Sequence, residues 1–140
     1  MRYETTAVIS APPERVWTVL ADVERWPEWT SSVSKVEKLD PGVLAVGSRV
    51  RIKQPGMPPL TWRVTELEPG REFSWMTKSP GATTVASHSV EAQGNGIVIA
   101  GFSLQQTGPL SRVADWLFGK RTRRYVDTEV AGLKRRSEEG

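Results

Sequence analysis

His88 is the one histidine of the chain, and the chain has no cysteine. It is therefore the sole side chain whose ordinary pKa suits proton transfer at neutral pH. Beside it the sequence offers large aromatic groups and a few polar ones: Trp29, Trp62, Phe73, Trp75, Phe102 and Trp116, with Gln54, Thr77 and Tyr125. Aromatic surface carrying sparse hydrogen-bonding groups is what an internal site for a small hydrophobic or amphipathic molecule requires. Each residue also has a plainer reading. The aromatics are either contacts of a bound molecule or ordinary core. His88 is either a hydrogen-bonded core residue or a ligand contact and general acid–base group. The Gln54 amide either orients a ligand carbonyl or satisfies the loop that follows it. Arg121 either pairs a carboxylate in the cavity or extends to solvent along its own stem.

Other chemistries lack their residues. A zinc or iron site would have to be built mainly from carboxylates, and none cluster on the inward strand faces, so no metal or other cofactor is expected. Glu66 and Glu68 share an outward strand face, and Glu24 and Glu28 sit four apart on a short helix in water. Gly94-Asn95-Gly96 is a hairpin turn without the Lys-Ser/Thr tail of a phosphate loop, and no serine stands in a nucleophile elbow. The net charge of +3 is scattered along the chain, which argues against nucleic acid. Its densest part, Lys120 to Arg124, reads as a solvated helix face, with Asp127 and Glu129 close behind, or as the contact for an anionic or protein partner. No apolar run approaches the length of a membrane span, and Met1 to Thr6 holds no signal core, so a cytoplasmic protein without membrane insertion is expected.

The elements that would position these groups follow from periodicity. Gly108-Pro109 reads as the start of one long helix reaching about Glu138, with an apolar stripe of Leu110, Val113, Ala114, Leu117, Tyr125 and Leu133 and a bend near Gly119. Tyr3 to Ser10 reads as a strand. A short helix from about Pro13 to Ala21 follows, with Ser10 as a cap, then a second short turn capped by Asp22 and closed by Trp29. Six further strands are predicted: Val33–Leu39, Ser48–Gln54, Leu60–Leu67, Arg71–Thr77, Thr83–Ala92 and Ile97–Gln105. Hairpin-length links imply an antiparallel sheet. Its inward face would hold Val50, Ile52, Gln54, Trp62, Val64, Phe73, Trp75, His88, Val90, Ala100 and Phe102. The Pro55–Pro59 and Lys78–Thr83 loops leave the sheet at one end, where Met57 and its prolines either form a lid or merely join strands. No linker, repeat or composition shift interrupts residues 1–140, which read as one domain.

Four stretches carry a family resemblance: Ile9-Ser10-Ala11-Pro12-Pro13-Glu14-Arg15-Val16-Trp17; Asp22 through Trp26-Pro27-Glu28-Trp29; Trp62 through Arg71 with Phe73 and Trp75; and Gly132-Leu133-Lys134. With the order of elements, they make the chain resemble the START/polyketide-cyclase-like superfamily of helix-grip domains, in particular bacterial members of the polyketide cyclase/dehydrase type. The resemblance implies an α+β fold: a curved antiparallel sheet of about seven strands wrapped around a long C-terminal helix, with two short helices after the first strand. It also implies an internal cavity for a lipid, polyketide or similar small hydrophobic molecule. Three functions follow as expectations: a carrier or sensor of such a molecule, a cyclase, aromatase or dehydratase using the same cavity, or an accessory protein acting through its surface.

Overall fold

The structure, a computed structural model, describes residues 1–139. Strand β1 (Arg2–Ile9) leads into helix α1 (Pro13–Ala21) and a 3-10 turn, Val23–Glu28. Strands β2 (Lys35–Lys38), β3 (Arg49–Lys53), β4 (Leu60–Glu68), β5 (Glu72–Ser79), β6 (Ala82–Gly94) and β7 (Ile97–Thr107) follow, and helix α2 (Ser111–Glu138) closes the chain. The strands form one antiparallel sheet in the order β1-β7-β6-β5-β4-β3-β2. This is the α+β helix-grip architecture. Its meander comes from local turn chemistry. Asn95 and Gly96 take positive φ angles of 56° and 74°, as a two-residue hairpin turn with the twist of its strands requires. First and last strands meet, Ile9 opposite Val98 and Arg2 opposite Gln105.

The inward face is as period two predicts. Val50, Ile52, Trp62, Val64, Phe73, Trp75, His88, Val90, Ala100 and Phe102 are all buried, and Gln54 at the sheet margin is half-buried. A bulge between Val64 and Glu66 keeps both Glu66 and Glu68 exposed while Leu67 turns partly inward.

Several boundaries differ from the expectations. The second strand is only Lys35–Lys38, because Val33 turns into the core ahead of it. Strands β5 and β6 run on until only Pro80 and Gly81 separate them. Pro109 stands in the turn before α2, whose N-cap is Leu110, and the helix runs unbroken through Gly119. Neither Ser10 nor Asp22 caps a helix with its side chain. Instead the Ser10 N–H donates to Glu138 at 2.8 Å, and Asp22 pairs with Arg25 at 3.3 Å.

Helix α2 divides into two halves. Its second half is buried at Val126, Glu129, Val130, Gly132, Leu133 and Ser137. It is tied down by Lys134 Nζ donating to the Val8 carbonyl at 2.6 Å and Arg135 Nη2 donating to the Trp29 carbonyl at 2.7 Å. Its first half is not core. Leu110, Val113 and Leu117 are 49%, 50% and 57% exposed, because here the helix borders a cavity rather than packed core.

Candidate functional site

Between the sheet and α2 lies a cavity of about 350 Å³. Its floor is an aromatic cluster. The His88 ring lies nearly parallel to Phe73 at 4.3 Å, with Phe102 and Trp75 edge-on at 4.8 and 5.3 Å and Trp26 at 5.6 Å. Trp26 is held by its indole N–H, which donates to the Leu20 carbonyl at 2.9 Å. Trp62 extends the wall beyond Trp75 at 6.0 Å.

His88 is neutral in this setting. Burial lowers its pKa to about 4, against a weaker opposing effect of the Phe73 carbonyl. Nδ1 lies 3.2 Å from that carbonyl oxygen, which can only accept, so Nδ1 carries the proton and Nε2 is the acceptor atom of the ring.

The second titrating group of the cavity is Glu129, and sequence reasoning set it among the solvated charges of α2. It is 8% exposed, lines the cavity, and accepts a hydrogen bond from Ser32 Oγ at 3.0 Å. Thr30 Oγ1 in turn lies 2.8 Å from Ser32 Oγ. Burial pushes the Glu129 carboxyl up to about 7, and the Ser32 hydrogen bond offsets only part of this. The signal for it was in the stripe itself. Tyr125, Glu129 and Leu133 stand at four-residue steps, so Glu129 shares their face. Trp26, fully buried and lining the cavity, was likewise absent from the candidate contacts.

The candidates distribute as follows. Gln54, Trp62, Trp75, His88, Phe102 and Tyr125 all line the cavity. Trp29, Phe73 and Trp116 do not. Trp29 lies behind Trp26, 5.4 Å away and against Gly132. Phe73 is fully buried beneath His88. Trp116 is 82% exposed on the outer side of α2. Thr77 is in the wall, but its hydroxyl donates to the Thr61 carbonyl at 2.8 Å. Gln106 also lines the cavity, with Oε1 buried and unpartnered among the described residues. No lysine or arginine lines it, and no three histidine, aspartate or glutamate side chains gather among the described residues as metal ligands would.

The mouth is latched on two sides. Tyr125 Oη donates to the Pro55 carbonyl, and Arg121 Nη1, one turn earlier, donates to the Gly56 carbonyl at 3.0 Å. Met57 and Pro58 of this loop line the cavity. Arg121 thus holds the loop and pairs no carboxylate. Across the mouth, the Leu110 N–H donates to the Gly81 carbonyl at 2.8 Å. Gly108 has φ 112°, and a Cβ there would meet that same oxygen at 2.6 Å, so the turn can close only on a glycine.

A family model described as polyketide cyclase / dehydrase and lipid transport matches residues 1–138. A protein of Streptomyces halstedii, provisionally named a polyketide cyclase, is 32% identical over 91 residues, 63% of this chain and 72% of that one. Among solved structures, the Zhui aromatase/cyclase of a Streptomyces species superposes with a TM-score of 0.83 at 17% identity, covering 99% of this chain and 94% of that one. The two-domain aromatase/cyclase BexL gives 0.72 at 20% identity over 97% of this chain and 46% of that one. At these identities the solved structures speak to the fold alone. No helix of the described residues is long and apolar enough to cross a membrane.

Proposed function

The chain belongs to the polyketide cyclase/dehydrase and lipid transport family, and from that premise we propose that it binds a neutral, flat, hydroxyl-bearing molecule of polyketide type in its cavity. One observation carries this reading: the cavity has an aromatic wall, Glu129 as its single carboxyl, and no lysine or arginine. A fatty-acid carboxylate would meet no cation there and would face a second acid. A phenol or enol would find an acceptor at His88 Nε2, and stacking surface on Trp26, Trp75 and Phe102. A volume of about 350 Å³ lies at the small end of ligand pockets. Apolar burial at roughly 25 cal/mol per Å² would supply the affinity, less the costs of association. As a carrier or sensor the protein would work in the cytoplasm without a cofactor. Native mass spectrometry of the protein purified from its own host tests this. A small mass released on denaturation that proves to be a hydroxylated aromatic supports the reading, and a fatty acid refutes it.

A second reading, a cyclase or dehydratase, is favoured by the opposite displacements of two groups in one cavity. Glu129 is raised to about 7 and His88 lowered to about 4, so near neutrality the site offers a carboxylic acid and a neutral imidazole. In a dehydration, His88 Nε2 would take a proton from the carbon beside a ligand carbonyl. Glu129 would give its proton to the departing hydroxyl, which leaves as water. The imidazolium then returns its proton to the carboxylate through solvent. Glu129→Gln should abolish such turnover while sparing ligand uptake; turnover unchanged in that variant would refute this reading.

A further inference from the structure

The end of the molecule where the cavity opens is also a basic pole. Its rim consists of the loop after β3, the turn between β5 and β6, and the first half of α2. These segments carry Arg112, Lys120, Arg121, Arg123 and Arg124, with Asp115 as their one carboxylate, and Lys78 lies beside them at the end of β5. Asp115 is already paired with Arg123 at 3.1 Å. Arg112, Lys120 and Arg124 are exposed and make no ion pair among the described residues. The far end of the β4–β5 hairpin instead mixes both signs, exposing Glu66, Glu68 and Glu72 with Arg71, which pairs with Glu68 at 3.2 Å. Interleaved with the cations at the rim is apolar surface: Trp116 is 82% exposed, with Leu110, Val113, Leu117 and Phe118 between 40% and 57%.

We propose that this face docks on an anionic lipid surface and sets the cavity mouth against it, so that an apolar guest passes between bilayer and cavity without crossing water. The guest half of this statement rests on the cavity reading above. Three features together favour lipid. Tryptophan, phenylalanine and leucine interspersed with arginine and lysine on an exposed helix is the composition that settles at a bilayer interface. Arg112, Lys120 and Arg124, exposed and without ion-pair partners among the described residues, draw the mouth toward a negative surface before contact. The patch is continuous with the cavity, since Leu110, Val113, Leu117 and Phe118 belong to both.

The test is co-sedimentation of the whole protein with vesicles of phosphatidylcholine alone and of phosphatidylcholine mixed with phosphatidylglycerol. The protein should follow the mixed vesicles only, and less so as salt rises. Arg112→Gln and Lys120→Gln should each weaken binding roughly fivefold, and Trp116→Ser should release the protein. None of these three side chains lines the cavity, so ligand uptake in vesicle-free buffer should be unchanged in all three variants. Failed docking is thereby distinguished from a failed cavity. No sedimentation with anionic vesicles overturns the proposal. Retention on polyglutamate without vesicle binding would assign the face to an acidic protein and also overturn it. So would a dimer, seen by light scattering, that Trp116→Ser dissociates in a protein that ignores vesicles.

Discussion

Ser32 donates a 3.0 Å hydrogen bond to the buried carboxyl of Glu129, from a loop 97 residues away in sequence. This contact joins the segment after the 3-10 turn to the buried face of α2 and places an acid in an aromatic cavity. Glu129 thereby becomes the most informative residue to change.

Glu129→Gln should alter the pH dependence of stability with a defined sign. The folded pKa of Glu129 is raised to about 7 from 4.5. Relative to the neutral side chain, its stability is therefore fully present below pH 4.5 and lost as pH rises through 7, by ~3 kcal/mol at most. His88 works the other way. Its folded pKa of about 4 lies below 6.5, so its stability is present above pH 6.5 and lost as pH falls toward 4. Between pH 4.5 and 6.5 the two slopes oppose each other. Urea unfolding from pH 4.5 to 8 should show the glutamine variant gaining on the parent as pH rises. A constant difference would mean that Glu129 is not desolvated.

Releasing the mouth should free the loop to open and lower global stability by a similar amount. Tyr125→Phe and Arg121→Ala each remove one hydrogen bond to the Pro55–Gly56 carbonyls, worth about 1 kcal/mol apiece. Amide exchange at Met57, whose N–H donates to the Gln54 carbonyl at 3.1 Å, should accelerate roughly five- to thirtyfold in the double variant, with a matching fall of roughly 3–10 °C in the thermal midpoint. Unchanged exchange would show that the latch bears no load.

Gly132→Ala tests how α2 is seated. Alanine is the better helix former by about 1 kcal/mol. A Cβ at this position, however, would lie 2.2 Å from the Trp29 carbonyl oxygen, the same oxygen that accepts from Arg135. The variant should lose roughly 1–3 kcal/mol in chemical denaturation. A gain in stability would contradict the close approach of helix and loop.

The sheet could be read from the sequence because each strand has one buried and one solvated face, and period two separates them cleanly at Trp62, Phe73, Trp75, His88 and Phe102. The helix was harder. Its residues face three environments in turn: the mouth, the cavity and the core. Trp116 stands five residues before Arg121, roughly 140° around the helix from it, and so points away from the stripe that suggested a pocket. Glu129 lies on the buried face, yet a carboxylate one turn beyond five clustered basic and polar residues reads as surface charge. Only the partners Ser32 and Thr30, remote in sequence, explain its burial. Phe73 alternates inward as expected, but whether an inward ring lines a cavity or lies beneath another ring depends on curvature that no periodicity reports.

A cavity without lysine or arginine should take a neutral hydroxylated aromatic and exclude fatty carboxylates. Tryptophan fluorescence titration measures this directly, since Trp26, Trp62 and Trp75 line the cavity. A trihydroxyanthraquinone and a medium-chain fatty acid should be titrated into the parent and into Ala86→Phe, which fills the cavity from β6. The anthraquinone should give saturable quenching at about micromolar concentration, the fatty acid none, and neither should quench Ala86→Phe. Tighter binding of the fatty acid, or anthraquinone binding that survives Ala86→Phe in a folded protein, would contradict this reading of the cavity.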